Sequence, residues 1–257
     1  MKEQNDASGN PRFTNHLFDF GKDGPDYAYF NRQLEAVKSM MQISTDVLFV
    51  KDMYKDYYPY IGGDSLYITG YTNKEMAVAG QEVFRMLIDY EDAMFLLGYE
   101  ALYYQFIQDT PPERRNQVVL FELLHFKHKD GNKFPVTMTI VPFLFDANHN
   151  PWALVGRVAL TPKSQERTAW IEMKDTGERF LYQPNKKAFI AEKPKCLTTA
   201  EQKILLLAAR GLTEKQVAEE LNISHNTVKK HKANILSKLA VDKISEAVIV
   251  ASNLNLI

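Results

Sequence analysis

The chain has 257 residues, a hydrophobic content of 45% and a formal net charge of −1. That length exceeds one compact domain and predicts two modules, while so small a net charge predicts by itself no affinity for nucleic acid or membrane. A single cysteine, Cys196, excludes an intramolecular disulfide and any multi-cysteine zinc or iron–sulfur site, and reads as an incidental linker thiol in a reducing compartment. The average charge conceals a division: residues 1–162 carry 15 Lys+Arg against 21 Asp+Glu, residues 163–196 carry 8 against 5, and residues 197–257 carry 8 against 6. No stretch approaches the roughly 18 apolar residues of a membrane span, and the opening MKEQNDASGN lacks the apolar core of a signal peptide, so a cytoplasmic protein without membrane contact is expected.

Residues 1–42 read as a polar segment followed by an amphipathic helix, with Tyr27, Phe30, Leu34, Val37 and Met41 three or four apart. DVLFVKD and KDYYPYIG then read as short strands. DSLYITGYTNKEM reads as a helical stretch broken at Gly70, where Thr72 and Glu75 form a capping box. A helix rich in Phe95, Leu96, Leu97, Leu102 and Phe106 ends at Pro111-Pro112. Three long strands follow, NQVVLFELLHFKHK, KFPVTMTIVPFLFD and PWALVGRVAL, turned at Asp130-Gly131 and at ANHN. This order predicts an antiparallel sheet with helices on one face. Residues 43–162, through YIGGDSLYITGYTNKEM and HFKHKDGNKFPVTMTIVPFLFDANHNPWALVGRV, resemble a PAS domain, which implies a sensor or dimerisation role.

A light-sensing flavin PAS needs a cysteine on a helix inside the domain, and this region has none. Haem needs an axial ligand. His125 and His128 are three apart on a predicted strand, which sends them to opposite faces, and His149 falls in a turn. Phe84, Met86 and Phe95, with either Val136, Met138 and Ile140 or Thr137, Thr139 and Val141, would line any pocket. The cofactor is unknown from the sequence. Residues 163–196 read as a linker that holds a hairpin about Asp175-Thr176-Gly177, with Lys186, Lys187, Lys193 and Lys195 as solvated or backbone-touching charges.

Residues 197–257 carry helix start and stop signals at short intervals. Thr198 with Glu201 and Thr213 with Gln216 are capping boxes, Gly211 ends the first helix, and Ser224 caps a third after the turn Leu221-Asn222-Ile223. Two short helices so joined make a helix-turn-helix. At about 100° per residue, Ile235 and Leu239 fall beneath Val228, whereas Asn226, Lys230, Ala233 and Ser237 lie on the opposite side, Lys229 on one flank and Lys232 nearer the core edge, its ammonium free to reach a phosphate. From Ser224 to Leu239 there are four lysines and no acid, a cationic ridge of a width that a DNA major groove admits.

The run Leu197-Thr198, Glu201, Leu205, Gly211, Lys215, Val217-Ala218, Leu221, Ile223-Ser224, Thr227-Val228, His231, Ile235 and Lys238-Leu239 resembles the signature of LuxR-type DNA-binding domains. The resemblance implies four helices, the third entering the major groove with Lys229, Lys230, Ala233 and Asn226 toward base edges, and Thr213, Lys215, Ser224 and Thr227 holding phosphates. Ala240 stands where many members have glycine, and Ala233 where some have a long polar reader. The last helix, about Lys243 to Asn253, is apolar beyond one stripe; the resemblance makes it a dimer contact, and the alternative is a helix buried by the N-terminal module.

The expected fold class is therefore α+β, a PAS domain followed by an all-α four-helix LuxR-type domain. The expected function is sequence-specific transcription regulation, a ligand or partner signal passing from the PAS module to the helix-turn-helix. Double-stranded DNA, a second copy of the chain and RNA polymerase are the expected partners. The alternative is a small-molecule or haem sensor whose ligand gates DNA binding or partner docking. An enzyme is not expected: no phosphate-binding glycine loop, nucleophile elbow or metal constellation is present in the sequence.

Overall fold

The structure is a computed structural model that describes residues 24–41, 46–161, 166–192, 197–254 and 256–257. Cys196, Lys193, Lys195 and the start of the N-terminal segment lie outside the described residues, as does the Met41 side chain. Helix α1 (Tyr27–Met41) precedes strands β1 (Val47–Asp52) and β2 (Tyr57–Gly62). Helices α2 (Ser65–Thr69), α3 (Asn73–Ala79), α4 (Val83–Leu87) and α5 (Tyr90–Asp109) follow. The strands β3 (Val118–Lys127), β4 (Lys133–Phe145), β5 (Pro151–Leu160), β6 (Thr168–Met173), β7 (Arg179–Gln183) and β8 (Ala188–Glu192) complete one antiparallel sheet in the order β2-β1-β5-β4-β3-β6-β7-β8.

Local chemistry sets the element ends. Gly70 takes φ 76°, a left-handed conformation that closes α2, and Thr72 and Glu75 form the reciprocal box that opens α3. Asp89 caps α5 by accepting from the Asp92 amide. At Gly156 a Cβ would sit 1.9 Å from the Phe49 ring, so only glycine lets β5 pass beneath that aromatic.

The two faces of the sheet are covered differently. Phe49, Leu120, Leu124, Phe126, Val136, Met138 and Ile171 face α2–α5 in the main core, with Phe84, Phe95 and Ile140 packed against it. Of the two alternations read for β4, the one through Val136, Met138 and Ile140 faces the helices, whereas Val141 faces the other way. On that outer face α1 seats Phe30 and Leu34 over Val50, Leu144 and Trp152, so helices occupy both sides rather than the single side expected. Each such buried aromatic or aliphatic side chain contributes roughly 1.5–3 kcal/mol.

The segment expected as a linker differs most. Strands β6–β8 extend the sheet, with Phe121 opposite Trp170 and Leu120 opposite Ile171 across the β3–β6 pair. The physical reason lies in β3, whose residues Val118–Leu124 are all buried: a strand covered on both faces sits inside a sheet and takes a partner on each edge. Arg167 reinforces the junction by pairing with Asp92 at 2.9 Å and Glu91 at 2.7 Å on the first turn of α5. The turn Asp175-Thr176-Gly177, with Gly177 at φ 70°, joins β6 to β7.

The C-terminal helices are α6 (Thr199–Ala209), α7 (Glu214–Glu220), α8 (His225–Leu239) and α9 (Ile244–Asn253). Ile204, Leu205, Val217, Val228, Ile235, Ala247 and Ala251 form their own core. The α9 end also meets the sheet: the Asn253 side-chain amide donates to the Leu160 carbonyl at 2.9 Å, and Leu254 packs toward Val119, Phe121, Leu123 and Trp170. No helix among the described residues is long and apolar enough to cross a membrane.

Candidate nucleic-acid interface

Capping chemistry places the two helices of the candidate interface. Thr213 opens α7 by exchanging hydrogen bonds with Gln216, its amide donating to the Gln216 Oε1 at 2.9 Å. Asn222 takes φ 53°, and the Ile223 amide donates to the Ala218 carbonyl at 3.0 Å, which turns the chain tightly into α8. Ser224 then caps α8, accepting from the Thr227 amide at 3.1 Å while the two hydroxyls lie 2.8 Å apart. Val228, Ile235 and Leu239 are buried against the other three helices, which fixes the rotation of α8 about its axis.

That rotation leaves Asn226, Lys229, Lys230 and Ala233 exposed on one side, with Ser224 at the helix start and Thr227 half-buried beside it. Thr213 and Lys215 are exposed at the start of α7. Each of these residues is thus exposed or half-buried on the helix-turn-helix, Thr213 and Lys215 at the start of α7 and the others on α8. Lys232 is half-buried on the flank of α8 toward α7, where it lines a cleft with Thr213 and Glu214.

The ridge of four lysines is not uniformly free. Lys238 donates to Glu201 at 2.6 Å, and Lys232 donates to Glu214 at 2.6 Å. Lys229 and Lys230 make no ion pair among the described residues. Burial pushes the Glu201 carboxyl upward, but hydrogen bonds from Lys238 and Thr198 outweigh it and hold the group below its ordinary range. The Glu214 carboxyl is held down by the hydrogen bonds from Lys232 and His225.

Two participants escape sequence reasoning. Glu214, the first residue of α7, accepts from Lys232 and lies 3.1 Å from the His225 Nε2, so one carboxylate ties two α8 side chains to α7. The signal was present: His225 and Lys232 are seven apart and share a helix flank, and an acid stands at the start of the preceding helix. Asn234, exposed between Lys230 and Ser237 on α8, is a further polar group on the same side.

In the N-terminal module the histidines go to separate acids. The His128 Nδ1 lies 2.9 Å from Asp130 in the hairpin turn, and the His125 Nδ1 lies 3.7 Å from Asp92. Among the described residues no three His, Cys, Asp or Glu side chains are placed to hold a metal ion. Beneath α5, Tyr99 donates to the buried Glu122 carboxyl group at 2.5 Å.

Residues 195–251 match the family model of bacterial regulatory proteins, luxR family, and the C-terminal module is of that type. The response regulator protein VraR of Staphylococcus aureus is 46% identical over 67 residues, 26% of this chain and 32% of that protein. The chain thus spans about a third of the length of the curated relatives it matches. Among solved structures, a VqmA dimer of Vibrio cholerae without target DNA is 15% identical, with a TM-score of 0.33 over 87% of this chain and 88% of that one. A PAS domain from Colwellia psychrerythraea is 15% identical, with a TM-score of 0.39 over 51% and 98%.

Proposed function

We propose that the protein is a cytoplasmic, dimeric, sequence-specific transcription regulator in which the PAS module, residues 43–162, passes a ligand or partner signal to the helix-turn-helix of residues 197–257. The observation that carries this reading is the side of α8 opposite Val228, Ile235 and Leu239, where Lys229 and Lys230 stand exposed and unpaired among the described residues beside Asn226 and Ala233. Two lysines on the outer side of a helix anchored by apolar residues supply the charge and the shape that a major groove accepts. Lys229, Lys230, Asn226 and Ala233 would face base edges, Ala233 by contact with a thymine methyl. Thr213, Lys215, Ser224 and Thr227 would set register on phosphates. Two copies would present their α8 helices to half-sites about one helical turn apart, and RNA polymerase would be contacted from the promoter so occupied.

The test starts with selection of bound fragments from genomic DNA, which yields the operator. Lys230→Ala should then weaken operator binding by about 1 kcal/mol or more at matched salt. Equal affinities of variant and wild type in gel shifts would remove α8 from the groove.

A second reading, in which a small molecule or haem gates DNA binding, is favoured by the Glu122 Oε2, which is buried in the PAS core without a hydrogen-bond partner. An absorption spectrum and native mass spectrometry of the purified protein test it. A bound chromophore or added mass supports ligand gating, and a colourless, ligand-free protein supports a partner signal.

A further inference from the structure

The start of α7 poses an electrostatic problem. Thr213 and Lys215 stand where the proposed function puts DNA phosphates, yet the residue between them is Glu214, a carboxylate that a phosphate would repel. Its two oxygens are both engaged. Oε1 accepts from the Lys232 ammonium at 2.6 Å, and Oε2 lies 3.1 Å from the His225 Nε2. The carboxylate therefore engages, on the flank of α8 toward α7, the kinds of donor that a phosphate oxygen would.

We propose that Glu214 is a specificity-determining residue: an internal phosphate mimic that keeps Lys232 and His225 out of sequence-independent contact with the DNA backbone. The inference rests on the proposed DNA-binding reading. A duplex that recruits Lys232 must first break a 2.6 Å ion pair and then face an uncompensated carboxylate beside its phosphates. Backbone attraction through this flank is thus weakened for every sequence alike. Lys229 and Lys230 project from other positions of α8 and make no ion pair among the described residues, so contacts through them are spared. Glu214 in this way lowers binding to arbitrary DNA more than binding to the operator, and the ratio of the two rises.

The side chains are placed for such a role. The Lys232 and Glu214 side chains are 30% and 29% exposed, accessible enough for exchange with a phosphate yet held at the α7–α8 junction. A purely structural pair would act on stability alone, because an acid in the first turn also suits the positive end of the α7 dipole.

The test uses the full chain carrying Glu214→Gln, Lys232→Ala or both, titrated by fluorescence anisotropy against a duplex of arbitrary sequence and against the selected operator fragment, across a salt series. Glu214→Gln should tighten binding to the arbitrary duplex about fivefold or more and steepen the salt slope by about one. Operator affinity should rise less, so the specificity ratio falls. In the double variant the gain should vanish, since Lys232 carries it. Unchanged or weaker binding by Glu214→Gln, or a gain that survives Lys232→Ala, overturns the inference while leaving wild-type DNA binding intact. A wild-type protein without salt-dependent association overturns the DNA-binding reading itself, and this inference falls with it.

Discussion

Glu122 is a buried titratable group of the N-terminal module. Burial pushes its carboxyl up to about 8; the hydrogen bond from Tyr99 opposes that rise and the nearby Glu100 adds to it. The unfolded chain releases this proton near 4.5 and the folded chain near 8. Between those values the folded state holds the extra proton, so the stabilisation is complete below about 4.5 and is lost as pH rises through about 8. Glu122→Gln keeps the shape and removes the titration. Its melting temperature should match wild type near pH 5 and exceed it above pH 8, and parallel pH profiles would contradict the assignment. Glu201 acts in the opposite sense: its lowered carboxyl stabilises the C-terminal module at neutral pH, and that contribution is lost as pH falls through the depressed value. Ala240 closes α8 at φ 53°, a left-handed conformation that disfavours any side chain with a Cβ. Ala240→Gly should stabilise the protein by about 0.5–1 kcal/mol in denaturant unfolding, the relief of that strain exceeding the added freedom of the unfolded glycine.

At the scale of elements, α8 depends on its buried stripe more than on its charges. Ile235 is fully buried, and Ile235→Ala should cost about 2–5 kcal/mol in denaturant unfolding. Lys229→Ala, on the exposed side, should stay within about 0.5 kcal/mol of wild type. The same division explains what could be read from sequence. Thr72, Thr198 and Thr213 each announce a helix start because a capping box is a contact between residues three apart, written locally. Periodicity likewise gives the rotation of α8, and with it the exposure of Asn226, Lys230 and Ala233. Strand partnership is not local. Trp170 stacks on Phe121 with ring centroids 5.0 Å apart, yet nothing near Trp170 names that partner, so β6–β8 read as a linker hairpin rather than as the extension of a sheet. The Glu214–Lys232 pair is legible only in part: the acid and the basic flank are written in the sequence, but their meeting depends on how two helices cross.

At the scale of the whole molecule, the sheet and the helix-turn-helix meet through the last turn of α9. Asn253 bonds to β5, and Arg157 on that strand donates to the Asn253 carbonyl at 3.3 Å while pairing with Asp46 at 2.6 Å. Leu254 lies toward the Phe121–Trp170 stack. The α9 helix is thus joined at its end to β5 and to the outer face of the sheet. The central claim remains that the exposed side of α8 occupies a DNA groove. Its most direct test is the salt dependence of association between the full chain and its selected operator, for wild type and for the Lys229→Ala/Lys230→Ala variant. The account predicts a wild-type affinity that falls linearly with the logarithm of salt concentration, and a variant that binds at least about tenfold more weakly. Association by the variant that is indistinguishable from wild type at every salt concentration would contradict it.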